Sequence, residues 1–231
     1  MSAWLSPEEW QAFRLSLEVA ARSVVLSLPF AIAMAWLLAR RRFLGKTLVD
    51  AAVHLPLVLP PVVVGYFLLL VFGTRGPVGA WLAEQFGVRL VFTTAGVALA
   101  TAVMSFPLVV RAIRLSIESI DSNLEAAART LGARAWDRFL TITLPLTLPG
   151  ILAGVIVAFS ASLGEFGAVI TFVSNIPGET RTLPLALYTA IQTPDGDAAA
   201  ARLAALSVGL GLVGLALSEW LARSVRRRMA P

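Results

Sequence analysis

Five long apolar runs constrain the fold of this chain more than any other feature of its sequence. A helix needs about 20 apolar residues to cross the hydrocarbon core of a bilayer. Runs of that length occupy residues 15–38, 49–72, 92–113, 147–173 and 203–222. Hydrophobic residues make up 58% of the chain and charged residues 14%, whereas soluble domains average roughly 45–50% and about 25%. The sequence therefore predicts an all-α membrane protein with five transmembrane helices, forming one domain over residues 1–231.

Basic residues are concentrated on one predicted side of the membrane. Two loops and the C-terminal tail share that side, and they hold thirteen of the 19 lysines and arginines: Arg40, Arg41, Arg42, Lys46, Arg111, Arg114, Arg129, Arg134, Arg138, Arg223, Arg226, Arg227 and Arg228. The opposite side holds Arg75, Arg89, Arg181 and Arg202. Because cytoplasmic loops carry the excess of Lys and Arg, we expect the N-terminus outside and the C-terminus in the cytoplasm. The net charge of +5 then reflects membrane topology and does not indicate nucleic-acid binding.

A polar, helix-prone segment lies between the third and fourth runs, from Leu124 to Pro145. Its alanines favour helix, and Asp121 or Ser122 offers an N-cap for a helix over residues 121–134. The small alanine side chains would let a partner backbone approach closely, and Gly132 can end the helix or form a sharp bend. We therefore expect a short docking helix on the cytoplasmic side.

The segment resembles the signature cytoplasmic loop of permease subunits in bacterial ATP-binding-cassette importers. The matching residues are Glu125, Ala126, Ala127, Ala128, Gly132, Ile142, Leu144 and Pro145. Glu125 lies seven residues before Gly132, where the family usually has six, so either Ala126 takes the acidic position or the helix carries one extra residue. The resemblance implies the type I importer permease fold, in which this loop docks as a short helix into a groove on the ATP-binding subunit. It also implies that the partner binds ATP and Mg²⁺, with no cofactor in this chain.

Three further stretches are similar to the permease subunit of molybdate importers in particular. They read HLPLVLPPVVVGY from His54, SLGEFGA from Ser162 and TFVSNIPGETRT from Thr171. Sulfate permeases share the Gly-Glu-Phe-Gly type of motif, so a sulfate, thiosulfate or other oxyanion permease remains the alternative, while the last stretch favours molybdate. The resemblance implies import of molybdate, and of tungstate, across the bacterial cytoplasmic (inner) membrane. It further implies an extracytoplasmic molybdate-binding protein and two ATP-binding cassette subunits as partners.

Proline, glycine and polar residues inside the apolar runs indicate where a translocation path or gate would lie. The candidates are Pro60, Pro61, Gly65, Ser105, Pro107, Ser160, Ser162 and Glu165. Each proline removes a backbone hydrogen bond, so the second helix should be kinked or partly unwound and should face protein or a water-filled path. Serine hydroxyls can donate to an anion, although serine in a helix often bonds its own backbone. Glu165 has the wrong charge to bind an anion, and we expect it to organise the structure by accepting hydrogen bonds from a neighbouring helix or by pairing with an arginine.

The motif matches in the chain do not predict catalysis or nucleotide binding. Gly-Lys-Thr at residues 45–47 lacks the upstream glycine of a phosphate-binding loop, and the GxGxxG of Gly209, Gly211 and Gly214 falls inside an apolar run without a βαβ unit. The chain has no cysteine, and we expect no metal site. A transport subunit is therefore expected and not an enzyme. A stand-alone channel and an intramembrane enzyme are the alternatives from other classes.

One five-helix subunit is too small to surround a hydrated anion pathway, so we expect a homodimer with the path along its two-fold axis. Two ATP-binding subunits would contact the two docking helices, and movement of the permease halves would give alternating access. The expected partners are thus a second copy of the chain, the ATP-binding subunits, the binding protein and the lipid bilayer, and no nucleic acid.

Overall fold

In a computed structural model of the chain, every regular element between residues 4 and 229 is helical. The structure describes this range, without the side chains at positions 122, 125, 218, 219 and 221–229. The helices are α1 (Pro7–Arg40), α2 (Lys46–Val58), α3 (Pro61–Phe72), α4 (Pro77–Phe86), α5 (Thr94–Glu118), α6 (Ser122–Thr130), α7 (Ala135–Arg138), a π-helical turn (Phe139–Thr143), α8 (Leu144–Leu163), α9 (Gly167–Val173), α10 (Leu183–Gln192) and α11 (Asp197–Met229). The prediction of an all-α protein is confirmed.

Four helical stretches are long and apolar enough to cross a membrane. They are α1, α5, the continuous stretch Ala135–Leu163 and the stretch Asp197–Leu217 of α11. A fifth crossing is obtained if α2 and α3 together form one. The apolar runs of the sequence fall on these helices, and several helices extend beyond their runs.

The early start of α1 comes from a capping box in its first turn. Ser6 Oγ accepts a hydrogen bond from the Glu9 N–H at 3.2 Å, and Glu9 Oε2 accepts one from the Ser6 N–H at 2.6 Å. Pro7 occupies the first helical position, where a missing N–H costs nothing. The helix therefore begins at residue 7, ahead of the apolar run that begins at residue 15.

The second apolar run is divided into two helices. The axes of α2 and α3 are bent by 116° relative to each other across Leu59 and Pro60. Pro61 begins α3, and the Pro60 carbonyl accepts hydrogen bonds from the N–H groups of Val63 and Val64 at 2.9 and 3.3 Å. The prolines predicted a kink or a partial unwinding, and the structure has a complete break.

The fourth apolar run is also divided, which hydropathy alone did not predict. Its first helix, α8, ends at Leu163, and Gly164, Glu165 and Phe166 separate it from α9. Two short helices outside the runs, α4 and α10, were not predicted either. Hydropathy does not distinguish an apolar residue in a continuous helix from one beside a break. Composition alone therefore could not predict the break between α8 and α9.

Helix α5 lies at the centre of the bundle. Its first half packs in one apolar cluster with Phe172 of α9, and its second half packs in another with Ala31 and Ala35 of α1. Helix α8 lies against the same second half, where a Cβ added to Gly150 would overlap the Ser116 side chain. We call the end of the bundle where α5 leads into α6 the α6 end, and the opposite end the α10 end.

A buried ion pair holds α1 against α11 at the α10 end. The Glu9 side chain is nearly inaccessible, and Arg202 donates to its Oε1 from Nη2 at 2.7 Å and from Nε at 3.1 Å. Nearby, Ser16 Oγ accepts a hydrogen bond from the Leu183 N–H at 2.7 Å. These contacts fix α10 and the start of α11 to the first turns of α1.

Candidate coupling and translocation site

The predicted docking helix corresponds to α6, which begins with a side-chain cap. The Asp121 carboxylate accepts a hydrogen bond from the Asn123 N–H at 2.9 Å, so Asp121 is the N-cap. The helix ends at Thr130 and does not reach residue 134.

Gly132 causes this early end. Its φ angle is +84°, in the left-handed region that glycine adopts without a steric cost. The Gly132 N–H donates to the Arg129 carbonyl at 3.1 Å, and the Ala133 N–H donates to the Ala128 carbonyl at 3.0 Å. These two bonds form a Schellman motif, which closes the helix by pairing its last carbonyls.

Apolar residues are exposed on α6 and at its C-cap, beside polar residues such as Asn123 and Arg129. Leu131 is 88% exposed and Leu124 is 49% exposed, although both are large hydrophobic residues. Ala126 and Ala127 are exposed as well, and a Cβ added to Gly132 would meet no atom within 4 Å. The side chain of Glu125 lies outside the described residues. The described surface thus combines exposed apolar side chains with room for a partner to approach its backbone.

A short, tightly bonded connection joins α6 to the bundle. Arg138 Nη1 donates to the Ala133 carbonyl at 2.7 Å, which ties α7 to the turn after α6. The π-helical turn then leads without interruption into α8. Ile142 and Leu144 are half-buried and Pro145 is exposed. Leu144 packs against the apolar cluster shared by α1 and α5, so the matching residues of the family pattern lie where the connection meets the core.

Two glycines bring the two helix breaks side by side. A Cβ added to Gly65 of α3 would lie 2.6 Å from the Ala168 carbonyl oxygen and 2.9 Å from the Thr171 Cβ. A Cβ added to Gly167 of α9 would lie 2.8 Å from the Pro61 Cβ. Because neither helix could approach so closely with larger residues here, α3 and α9 form one closely packed pair. Gly65 is buried, and both Pro60 and Pro61 are exposed beside it.

Glu165 lies in the break between α8 and α9 and caps α9. Its Oε1 accepts a hydrogen bond from the Ala168 N–H at 2.9 Å. No ion pair joins it to an arginine within the part of the chain that the structure describes. The bond from the Ala168 N–H is local, because it comes from α9 directly after Glu165 in the chain, and it is not the expected contact with a separate neighbouring helix. The effect of Glu165 on transport stays a prediction.

Two of the three serine candidates, Ser160 and Ser162, lie at contacts between helices. Ser162 Oγ is 3.2 Å from Ser23 Oγ of α1. Ser160 of α8 lies against α11, because a Cβ added to Gly214 would overlap Ser160 Oγ. Ser105 is buried within α5 and donates to the Ala102 carbonyl at 3.4 Å. Ser160 and Ser162 are thus placed where helices pack, and Ser105 bonds its own helix. Four other candidates gather at the paired breaks: Pro60, Pro61, Gly65 and Glu165.

Pro107 is the remaining candidate for the path. It is buried inside α5 and does not interrupt the helix. It therefore lies in the centre of the bundle and not at either break.

A charged cluster at the α6 end was not predicted as a site. Arg114 of α5 donates from Nη1 to Asp50 Oδ2 of α2 at 2.9 Å and from Nε to Glu118 Oε1 at 2.8 Å. His54 Nδ1 lies 3.2 Å from Asp50 Oδ1. The four-residue spacing of Arg114 and Glu118 was the available signal, since such pairs face each other on a helix. The cluster fixes the start of α2 to the end of α5.

Comparison with known proteins agrees with this arrangement. The sequence profile of the family described as "Binding-protein-dependent transport system inner membrane component" matches residues 27–227. The chain belongs to this family. This permease is accordingly a multi-pass inner-membrane protein, as the family description and the apolar helices together indicate.

The relatives of this permease are transport proteins. It is 60% identical over 224 residues to the molybdenum transport system permease protein ModB of Escherichia coli K12, covering 97% of this chain and 98% of that one. It is 39% identical over 196 residues to the sulfate transport system permease protein CysT of the same organism, covering 85% and 70%.

Among solved structures, a bacterial transporter for the import of the acidic polysaccharide alginate has the same fold. That chain superposes with a TM-score of 0.70 at 20% identity, over 98% of this chain and 82% of the other. The prediction of an importer permease fold is therefore confirmed.

Proposed function

We propose that this permease is the membrane-spanning subunit of an ATP-driven importer that carries molybdate into the cytoplasm. The observation that carries the proposal is its 60% identity to a molybdenum transport permease over nearly the full length of both chains. Its identity to a sulfate permease is lower, at 39%. Tungstate is a tetrahedral anion of the same charge as molybdate, and we include it as a second substrate.

ATP hydrolysis would take place in two separate subunits, each bound to the α6 helix of one permease copy in a homodimer. The exposed side chains of Leu124 and Leu131 are suited to an apolar groove on such a subunit. A displacement of α6 would pass to α8, because Arg138 ties α7 to the turn after α6 and Ala135–Leu163 is one continuous helical stretch. Hydrolysis would then move the membrane part as a rigid unit.

The translocation path would run between the two copies, beside the paired breaks. Broken helices in transporters leave backbone groups that face a cavity, and their halves can move separately. Here Gly65 and Gly167 hold α3 and α9 together, so we expect these two helices to move as a pair. Glu165 would keep the start of α9 in place during this movement. Weak contacts with the anion suffice, because tight binding in the path would slow release.

The α6 end would face the cytoplasm. This orientation follows from the excess of arginine and lysine in the loops at that end. An extracytoplasmic molybdate-binding protein would then dock on the α10 end and deliver the anion to the dimer.

Reconstituted transport tests the proposal directly. Proteoliposomes that contain the permease and its ATP-binding subunit should take up labelled molybdate when ATP and the binding protein are both supplied. Excess tungstate should compete, and excess sulfate should not. Competition by sulfate as strong as that by tungstate would favour the wider oxyanion alternative, and uptake without ATP would favour a channel.

A further inference from the structure

An open groove runs along α1 next to α7, and none of its lining residues belongs to α6. Its volume is about 620 Å³. One wall is a face of α1 that runs from Pro29 through Ala33 to Trp36, and Arg41 follows directly after the helix. The other wall consists of Ala135, Trp136 and Phe139. At 1.5 Å per residue, the distance along α1 from Pro29 to its end at Arg40 is roughly 17 Å, which is close to half of the ~30 Å hydrocarbon core of a bilayer.

The chemistry of the groove changes along its length. The half near Pro29, Ile32 and Ala33 is aliphatic. Aromatic rings surround the half near the α6 end: the Phe139 ring lies edge to face with Trp36 at 6.2 Å and with Trp136 at 5.9 Å between ring centroids. Tryptophan is enriched at the depth of lipid headgroups, so this aromatic half matches the membrane–water interface.

Arg41 closes the polar end of the groove. Its guanidinium lies 5.1 Å from the centroid of the Trp36 ring. No ion pair joins Arg41 to an acidic side chain among those that the structure describes. A guanidinium held against an indole keeps its edge N–H groups free to bind a phosphate.

We propose that this groove binds one anionic phospholipid, with an acyl chain along the aliphatic wall and the headgroup phosphate at Arg41. An apolar wall of one-leaflet length fits the acyl chain of such a lipid, and a cation that has no ion pair with the described acidic side chains fits its phosphate. A free anion would make no use of the apolar wall, and a water-soluble protein could not reach the end near Pro29. The site is independent of the transported anion, and it adjoins α7, through which α6 is joined to the bundle.

Lipid retention on the purified permease tests the proposal without a transport assay. Native mass spectrometry would count phosphatidylglycerol and phosphatidylethanolamine molecules retained from an equal mixture. The matched pair of variants is Arg41→Gln and Arg42→Gln, since Arg42 is exposed and does not line the groove. We expect Arg41→Gln to lower the preference for phosphatidylglycerol roughly fivefold, the effect of one basic residue at an anionic surface, and Arg42→Gln to change it less than twofold. Equal effects of the two variants, or none from Arg41→Gln, would overturn the proposal.

A second pair of variants examines the apolar wall and the competing occupant, a second copy of the chain. Ala33→Trp fills the groove at an exposed position, so it should reduce retention of both lipids at the site. Because the chain has no cysteine, Ala33→Cys gives a single reactive thiol in the groove. We expect no disulfide between copies on oxidation in the membrane. A disulfide-linked dimer would mean that the groove lies between two permease copies, and it would refute the lipid site.

Discussion

At the scale of single residues, Gly132 ends α6 and lies on the surface where we propose that the ATP-binding subunit docks. Its positive φ closes the helix, and the space around it is open. Another residue in this conformation costs roughly 1–2 kcal/mol, and a glutamate would also place a charge at the apolar docking surface. We expect Gly132→Glu to lower ATP-driven uptake at least about tenfold, which corresponds to ~1.4 kcal/mol of binding free energy. Uptake and the amount of permease in the membrane would be measured together.

Gly87 provides a matched control for this substitution. It also has a positive φ, of 65°, and it also has no atom within 4 Å of an added Cβ, but it ends α4 at the other end of the bundle. Gly87→Glu should therefore cost similar backbone strain and leave uptake nearly unchanged. Equal losses in the two variants would show that strain, and not docking, explains the effect at Gly132.

Glu165 should matter for structure more than for the choice of anion. Glu165→Ala removes the acceptor for the Ala168 N–H, and the loss of a helix cap typically costs ~1 kcal/mol. Glu165→Gln keeps a side-chain oxygen in the same position, so its effect on assembly or gating should be smaller. Thermal unfolding in detergent would measure the first effect, and competition between molybdate and sulfate would measure selectivity. A changed anion preference in a normally assembled Glu165→Gln variant would contradict this role.

At the scale of helices, the contact of α3 with α9 depends on the absence of a side chain at Gly65. A Cβ there would lie 2.6 Å from a backbone oxygen, so Gly65→Ala has to separate the two helices. Overpacking of this kind typically lowers the free energy of unfolding by about 1–3 kcal/mol. We expect a lower unfolding temperature and slower transport.

Gly211 of α11 provides the control for Gly65→Ala, because the same substitution there should change the unfolding temperature in the opposite direction or not at all. It lies in a helix with no atom within 4 Å of an added Cβ. Alanine is the better helix former by roughly 1 kcal/mol, so Gly211→Ala should leave the unfolding temperature unchanged or raise it. If both variants shifted the temperature in the same direction, the close contact at Gly65 would not limit stability.

At the scale of the whole molecule, the orientation in the membrane can be measured with two single cysteines, because the chain has none of its own. Leu131 is 88% exposed at the α6 end, and Phe86 is 64% exposed at the opposite end of the bundle. A membrane-impermeant maleimide should label Leu131→Cys in inverted vesicles and Phe86→Cys in right-side-out vesicles. The reverse pattern would place α6 outside the cell and exclude its role in coupling to ATP hydrolysis.

The helical class and the position of the docking segment were readable from sequence because they rest on local properties. Apolar runs of sufficient length indicate helices in a membrane, and Asp121 indicates the start of α6 through its side-chain cap. Gly132 indicates a stop or bend, although the helix was predicted to reach residue 134 and ends at Thr130. The break after Pro60 was partly predicted, since proline lacks an N–H wherever it stands. The break at Gly164–Phe166 was not, because neither glycine nor glutamate has to end a helix.

Amino-acid sequence alone determined that this protein is an all-helical membrane protein with a short polar helix between its third and fourth apolar runs, because length, hydropathy and helix-end residues act within a few positions of themselves. The interpretation as an importer permease came from the resemblance of motifs in the chain to that family. Only the tertiary structure decided which candidates come together. Gly65 meets Ala168, whereas Ser162 meets Ser23, and these partners lie far apart along the chain. The same structure aligned Trp36 with Phe139 and so formed the groove at Arg41. Such contacts depend on how whole helices pack, and packing is a property of pairs of surfaces that no single stretch of sequence contains.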